Sequence, residues 1–272
     1  MRKYSPIEKI LIILPFLFIL LELSFGVLNP SSNKDISLCL FLAAWMVSWW
    51  VFEILPLGVT ALIPLFFLPF FQIMPLKAVS PAYSNPVIFL FLGGFIIARA
   101  LEKTKLDERI ALNILACTGK SDFGIVIGFT IATAFLSMWI SNTATTVMMV
   151  PIALSVVHFL KTNIQTENKS SIDSLAIVLF LSIAYSANIG GITTPVGTPP
   201  NVVLLGYLED LYSHKIDFSS WLLATTPVAV TLLFIMLLLL KKLFPFKVPI
   251  PENFHSFLSV KISSLGKFNT PQ

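Results

Sequence analysis

Two polar stretches interrupt an otherwise apolar sequence, and both have the residue types that bind ions. The first runs from Ser137 to Thr146 and has Ser-Asn-Thr at 141–143, and the second runs from Ala187 to Asn201 and is rich in Gly, Thr and Pro. Proline removes a backbone donor and glycine frees the backbone, so carbonyl oxygens in the second stretch become available to a cation. A helix starting near Pro200 would turn its positive end toward a carboxylate. Together these features predict a site for sodium and an anion.

Each feature also has an ordinary structural explanation. Hydroxyls such as those of Ser137, Thr145 and Thr146 often bond to a carbonyl one turn earlier in membrane helices. A helix broken by Gly and Pro can be a hinge, since both residues are tolerated in membrane spans. The two features occur in succession between Ser137 and Asn201, and this combination favours a binding site over packing alone.

The composition indicates a polytopic membrane protein. Hydrophobic residues make up 56% of the 272 residues, charged residues make up 12%, and the mean hydropathy is +0.87. Soluble domains are about 45 to 50% apolar and about 25% charged. We find no cluster of acidic, basic or metal-binding residues typical of an enzyme, and we expect neither an enzyme nor a cofactor other than sodium as the coupling ion.

The lengths of the apolar runs predict an all-α fold. A span takes about 20 helical residues, which predicts helices at about 8–28, 36–53, 57–74, 86–101 and 220–240. The apolar run 123–160 is too long for one span, and with its polar middle it fits a re-entrant hairpin. The run 172–208, broken at 190–200, fits a discontinuous helix. We therefore expect about six transmembrane segments, a hairpin on the cytoplasmic side and a broken helix.

Basic residues support this layout, because cytoplasmic loops carry an excess of Lys and Arg. With a cytoplasmic N-terminus, all of the 18 Lys and Arg residues except Lys34, Lys77 and Lys215 fall on the cytoplasmic side. The net charge of +4 therefore reflects membrane topology, and we do not expect the chain to bind nucleic acid. We expect it to lie in the plasma (inner) membrane. The charges do not separate a hairpin from two full spans, since both return the chain to the same side.

At these motifs the sequence resembles the divalent anion/sodium symporters, which import di- and tricarboxylates and, in some branches, sulfate. The resemblance covers most of residues 49–201. Its matching elements are Trp49-Trp50 with Glu53, Pro56 and Thr60, then 91–95, 106–112, Ser-Asn-Thr at 141–143, and Gly-Thr-Pro-Pro-Asn at 197–201.

The resemblance implies roles for individual residues. It implies that one sodium ion is coordinated by Ser137, Ser141, Asn142 and Gly197. It implies that the substrate carboxylate meets Asn142, Thr143, Thr198 and Pro199.

The resemblance also implies a second, inverted half with its own Ser-Asn-Thr and Thr-Pro-Pro elements, and no second copy occurs in this sequence. We therefore expect one inverted repeat of a two-repeat transporter, from a truncated chain or from a half that is encoded separately. The implied division is a scaffold with helices 1–4 and a connector at 1–119, a transport part at 120–208, a last helix at 209–247 and a cytoplasmic connector at 248–272.

The predicted function is sodium-coupled symport of C4-dicarboxylates such as succinate, malate or fumarate, with half of the site in this chain. A sulfate or other divalent anion transporter, and a fragment that does not transport, stay open as alternatives. The expected partners are the substrate, sodium, the lipid bilayer and either a second copy in a homodimer or the missing half.

Overall fold

The computed structural model describes residues 5–25, 34–84, 86–164, 169–212 and 215–266. The described elements are α1 Pro6–Phe25, α2 Lys34–Val51, α3 Leu57–Thr60, α4 Ile63–Phe70, α5 Leu76–Val79, a 3-10 turn at Ser80–Tyr83, α6 Pro86–Thr104, α7 Leu106–Thr118, α8 Asp122–Ser137, α9 Asn142–Asn163, α10 Lys169–Ile192, α11 Pro199–Tyr212, α12 Phe218–Leu243 and α13 Phe254–Ser264.

Four of the described helices are long and apolar enough to cross a membrane. They are Lys34–Val51, Asn142–Asn163, Ser170–Ile192 and Phe218–Leu243. The chain is therefore an integral membrane protein with a helical fold, as the composition predicts. At about 1.5 Å per residue, the 22 residues of α9 would extend about 33 Å, which is enough for a full crossing. Helix length thus does not select the re-entrant arrangement, which stays a prediction, as do the number of spans and their orientation.

The chain forms two compact units, residues 1–86 and 87–272. This boundary lies earlier than the predicted end of the scaffold at residue 119, because α7 packs against α8 and so belongs with the second unit. α7 itself was not predicted as a helix. The functional division into scaffold and transport parts stays a prediction.

The first unit is held together by aromatic packing. Its buried core consists of Leu38, Leu42, Trp45, Trp49, Ile54 and Phe67. The ring of Trp45 meets that of Trp49 edge to face, with centroids 5.3 Å apart, and edge-to-face pairs gain energy beyond their buried area.

The single helix predicted at 57–74 is wrong, because α3 ends at Thr60 and α4 begins at Ile63. Pro64 has no backbone N–H to donate to the carbonyl of Thr60, one turn earlier, so the helical hydrogen bonding of α3 does not continue into α4. Gln72 then takes a φ of 59°, which ends the second piece.

The second unit is built around α8, α9 and α10. Its core includes Leu112, Leu115, Phe129, Met149, Leu160, Leu175, Leu179 and Ile183. α8 and α10 approach so closely that a Cβ on Gly190 would lie 2.6 Å from Ala134 Cα and would also overlap the Ala134 carbonyl oxygen. Small residues at such a crossing allow two helix backbones to touch in a membrane protein.

We predict that Gly190→Ala destabilises the second unit by about 2–3 kcal/mol, because the added methyl group meets backbone that cannot rotate away. Gly93→Ala is the matched control, since a Cβ there meets nothing within 4 Å. Alanine is also the better helix former, so the control should be neutral or up to about 1 kcal/mol more stable. Thermal unfolding of the purified variants in one detergent measures both. Equal melting temperatures for the two variants would contradict the close approach of α8 and α10.

Candidate ion and carboxylate site

A sharp turn joins α8 to α9. α8 ends at Ser137, α9 begins at Asn142, and the turn between them contains Ser141 as the N-cap of α9. The Ser141 hydroxyl oxygen accepts a hydrogen bond of 3.3 Å from the Ala144 N–H. Serine is among the preferred N-cap residues because its side chain satisfies a free N–H of the first turn. The predicted tip at Ser-Asn-Thr is therefore present as a helix start.

Three oxygen atoms meet directly behind this turn. The Ser137 hydroxyl oxygen lies 2.8 Å from the side-chain oxygen of Asn142 and 2.7 Å from the carbonyl oxygen of Ala187. Ser137 is fully buried. A hydroxyl has one proton and can donate to only one of these two acceptors. The cluster therefore holds more lone pairs than protons, which is an environment that favours a cation.

The predicted break in the second segment is present. α10 ends at Ile192 and α11 begins at Pro199, and the residues between them are not helical. The Thr194 hydroxyl donates to the carbonyl oxygen of Met138 in the hairpin turn and accepts a 3.0 Å hydrogen bond from the Gly197 N–H. One threonine side chain thus ties the break to the hairpin turn.

Asn201 satisfies carbonyl groups that the break releases. Its side-chain amide donates to the carbonyl oxygens of Gly191 at 2.9 Å and Thr194 at 2.8 Å. Asn201 is 7% exposed and lies in the first turn of α11. Because a buried carbonyl without a donor is costly, this amide allows the helix to end inside the protein.

Two side chains from α12 also bond to carbonyl oxygens that the break releases. The indole N–H of Trp221 donates to the Ile192 carbonyl oxygen at 3.1 Å, and the Thr225 hydroxyl lies 2.9 Å from the Thr193 carbonyl oxygen. The hydroxyl also lies 2.8 Å from the Trp221 carbonyl oxygen, so its proton is shared between two acceptors. α12 therefore supports the broken segment from the side.

Glycine is required where the break and the hairpin touch. A Cβ on Gly191 would overlap the side-chain oxygen of Asn142 and lie 3.1 Å from its side-chain nitrogen. A Cβ on Gly197 would lie 2.5 Å from the Gly191 carbonyl oxygen. Gly191 thus brings the backbone of the broken segment against the Asn142 amide, and Gly197 allows the loop to pack against Gly191.

The Asn142 amide has a different partner on each side. Its oxygen faces Ser137, and its nitrogen donates to the side-chain oxygen of Asn188 at 3.1 Å. Asn188 in turn donates to the Ala184 carbonyl oxygen at 3.0 Å. This chain of hydrogen bonds fixes which end of the amide faces the oxygen cluster.

The predicted sodium ligands come together in part. Ser137 and Asn142 are in direct contact, and Gly197 is buried in the loop that Thr194 ties to the hairpin turn. The Ser141 hydroxyl caps α9.

The predicted carboxylate ligands lie at two helix starts. Thr143 is exposed in the first turn of α9, Thr198 is half-buried just before α11, and Pro199 is the exposed first residue of α11. Because Thr194 links the two loops, the N-terminal ends of both helices lie beside the oxygen cluster. Helix N-termini attract anions through free N–H groups and the helix dipole.

Sequence reasoning gave no role to Asn188, Asn201 and Thr194. The signal was available, since all three are polar residues within the interrupted stretch that was singled out. Their bonding partners lie up to 56 positions away in the sequence, and only the fold identifies those partners.

The sequence of this chain is similar to those of known membrane transporters. A model of the CitMHS citrate transporter family matches residues 47–261. The sodium-dependent dicarboxylate transporter SdcS of Staphylococcus saprophyticus is 36% identical over 259 residues, which cover 94% of this chain and 50% of that protein. The SdcS protein of Staphylococcus aureus is 37% identical over 232 residues, which cover 84% of this chain and 44% of that protein.

The chain thus spans about half the length of the curated relatives it matches. The matching family and relatives are transporters and not enzymes. The family model covers the hairpin, the break and the oxygen cluster, and the resemblance to sodium symporters is confirmed. This chain belongs to the CitMHS citrate transporter family, within the group of divalent anion/sodium symporters.

Proposed function

We propose that this chain provides a sodium and carboxylate site for the sodium-coupled transport of C4-dicarboxylates such as succinate, malate or fumarate. The observation that carries the proposal is the buried contact of Ser137 with Asn142 and the Ala187 carbonyl, beside the N-termini of α9 and α11. Neutral oxygens for a cation and helix ends for an anion then lie within one small region.

Sodium binds in this proposal through oxygen atoms of Ser137, Ser141, Asn142 and Gly197. The hydroxyl proton of Ser137 turns to the Ala187 carbonyl, which leaves a lone pair of Ser137 and the amide oxygen of Asn142 free to face the ion. Hard cations without d-electron preferences take such oxygen ligands. The ion removes the repulsion between oxygens that share too few protons.

The carboxylate of the substrate binds at the two helix starts through Asn142, Thr143, Thr198 and Pro199. Thr143 and Thr198 can donate their hydroxyl protons, and the free N–H groups in the first turn of α9 add to the attraction. The start of α11 contributes its helix dipole, because Pro199 and Pro200 have no N–H and the Asn201 N–H is bonded to the Thr198 carbonyl. Pro199 lacks an N–H, but its fixed φ suits the first position of a helix and so sets the direction of α11.

Asn142 couples the two ligands, because its amide oxygen faces the ion and its nitrogen faces the anion. Sodium at the oxygen withdraws electrons from the amide and strengthens its N–H groups as donors. When the substrate binds, the Asn142 nitrogen donates to its carboxylate instead of to Asn188. Coupling of this kind is reciprocal, so the dianion also raises the affinity for sodium.

The proposal extends to the arrangement in the membrane. We infer a re-entrant hairpin on the cytoplasmic side of the plasma membrane, a cytoplasmic N-terminus, and alternating access by movement of the domain that carries the site. A complete substrate site needs a second set of such motifs, from a homodimer partner or from a second half. The similarity to the dicarboxylate transporter SdcS favours dicarboxylates over sulfate.

We predict that Ser137→Ala lowers the apparent sodium affinity of the purified chain about tenfold, equivalent to about 1.4 kcal/mol. The substitution removes one ligand oxygen and leaves the other ligands in place. The measurement is the rise in melting temperature with sodium concentration at constant ionic strength, since a ligand that binds only the folded state stabilises it.

Ser155→Ala is the matched control for Ser137→Ala. Ser155 is a half-buried serine of α9 whose hydroxyl donates to the Pro151 carbonyl oxygen, so its loss should leave the sodium titration unchanged. A wild-type chain that potassium stabilises as well as sodium does, or a Ser137→Ala titration equal to wild type, would contradict the proposed ion site.

We predict that Thr198→Val lowers the affinity for succinate about tenfold in the presence of sodium and changes the sodium affinity measured without succinate less than twofold. Valine keeps the shape of threonine and removes the hydroxyl donor. Binding of labelled succinate to the chain in lipid nanodiscs measures the effect. Sulfate added in a hundredfold excess should displace little of the label.

Two results would count against this assignment. Succinate binding that is equal in wild-type and Thr198→Val chains would remove the carboxylate site from α11. Displacement of the labelled succinate by an equal concentration of sulfate would favour an inorganic dianion as the substrate.

A further inference from the structure

Three buried threonines of the hairpin differ from the other described hydroxyl residues of the same two helices. The side-chain oxygens of Thr130, Thr133 and Thr145 are buried, and none of them makes a hydrogen bond. The common alternative is available and used in α9, where Thr146 bonds to the Asn142 carbonyl oxygen at 2.8 Å and Thr162 bonds to that of His158 at 3.1 Å. A buried hydroxyl without a partner costs about 1–3 kcal/mol.

Two of these three hydroxyls lie one turn from the hairpin turn. Thr133 precedes Ser137 by four residues, and Thr145 follows Asn142 by three, so each shares a helical face with the residue nearer the turn. Ser137 and Asn142 are in contact at 2.8 Å. Because α8 and α9 leave the turn together and pack against each other, their residues one turn away lie at about the same level of the hairpin.

The two hydroxyls do not bond to each other, and a small polar molecule that bridges them would give each a partner. A buried water makes two to four hydrogen bonds and both donates and accepts, so two hydroxyls suit it. A cation fits less well at this level, because Thr145 lies in the first turn of α9, where the helix dipole is positive.

A cavity borders one of the two threonines. A cavity of about 380 Å³ is lined by Thr145 together with Ile140, Ala144 and Met148, and its charged lining residues are Glu102, Lys105, Asp107 and Glu108. Burial raises the pKa of Asp107, and the carboxylates of Glu102 and Glu108 raise it further. Charged side chains favour water in such a cavity, and the buried Thr145 hydroxyl borders it.

We propose that Thr133 and Thr145 hold one buried water molecule inside the hairpin, one turn from the Ser137–Asn142 contact. The water bridges α8 and α9 and thereby keeps Ser137 and Asn142 at bonding distance. Thr133 and Thr145 are then positioning residues for the ion site and do not contact the ion. The effect on sodium rests on the proposed function, whereas the water and its effect on stability do not.

The test is a double-mutant cycle in buffer without sodium, with Thr133→Val, Thr145→Val and the double variant. If the hydroxyls share one water, each single substitution should lower the melting temperature by about 2–4 °C, because the remaining hydroxyl loses its partner. The double variant should melt no lower than the single variants, since no unpaired hydroxyl is left. Thr130→Val is the control, and its effect should add to that of each of the others.

Two results would contradict the proposal. Melting temperatures that rise or stay unchanged in the single variants would mean that the hydroxyls are dry and unpaired. Single effects that simply add in the double variant would mean that the two hydroxyls have separate partners. Either result overturns the shared water.

A sodium titration of the same variants separates this proposal from the proposed function. Thr145→Val should weaken sodium binding about threefold, and Thr145→Ser, which keeps the hydroxyl, should restore both the affinity and the melting temperature. If the cycle shows the shared water but sodium stabilises none of the chains, the proposed ion site is contradicted and the shared water is still supported. If sodium binds the wild type and all variants equally, the positioning role is overturned.

Discussion

The structure depends on one constraint, which is that a helix ending inside a membrane protein must have its released carbonyl groups bonded. α10 ends at Ile192 because Asn201, Trp221 and Thr225 bring donors to its last carbonyls and to the residues that follow. These donors come from α11 and α12, so the break is stable only in the folded unit. The loop of the break is then held in a fixed position, where Thr194 can bond to the hairpin turn.

The site follows from that fixed position. With the loop in place, Gly191 lies against the Asn142 amide, and Asn142 and Ala187 crowd the hydroxyl of Ser137. Oxygens that share too few protons are unfavourable together, and a cation turns this cost into binding energy. The same loop sets the start of α11 beside the start of α9. In the proposed function, an ion and an anion are thus brought together by backbone geometry, with no charged side chain among the proposed ligands.

The parts of this arrangement that are local in sequence were predictable. Ser-Asn-Thr at 141–143 marks a helix start, and the Gly and Pro residues between Gly190 and Pro200 mark a helix end, because both depend on backbone preferences of a few neighbouring residues. The roles of Asn201 and Asn188 were not predictable, since their partners are chosen by packing. The helix predicted at 57–74 failed because the apolar run hid the effect of Pro64, and hydropathy does not register a missing N–H.

The most direct test of the central claim is the sodium dependence of succinate binding in Gly191→Ala, with Gly93→Ala as the control. An added methyl group at position 191 would push the Asn142 amide away and leave the backbone in place. The account predicts that Gly191→Ala folds but binds succinate equally weakly in sodium and in potassium, whereas Gly93→Ala keeps the wild-type preference for sodium. A folded Gly191→Ala chain with the wild-type preference would show that the Asn142 amide does not couple the ion to the anion.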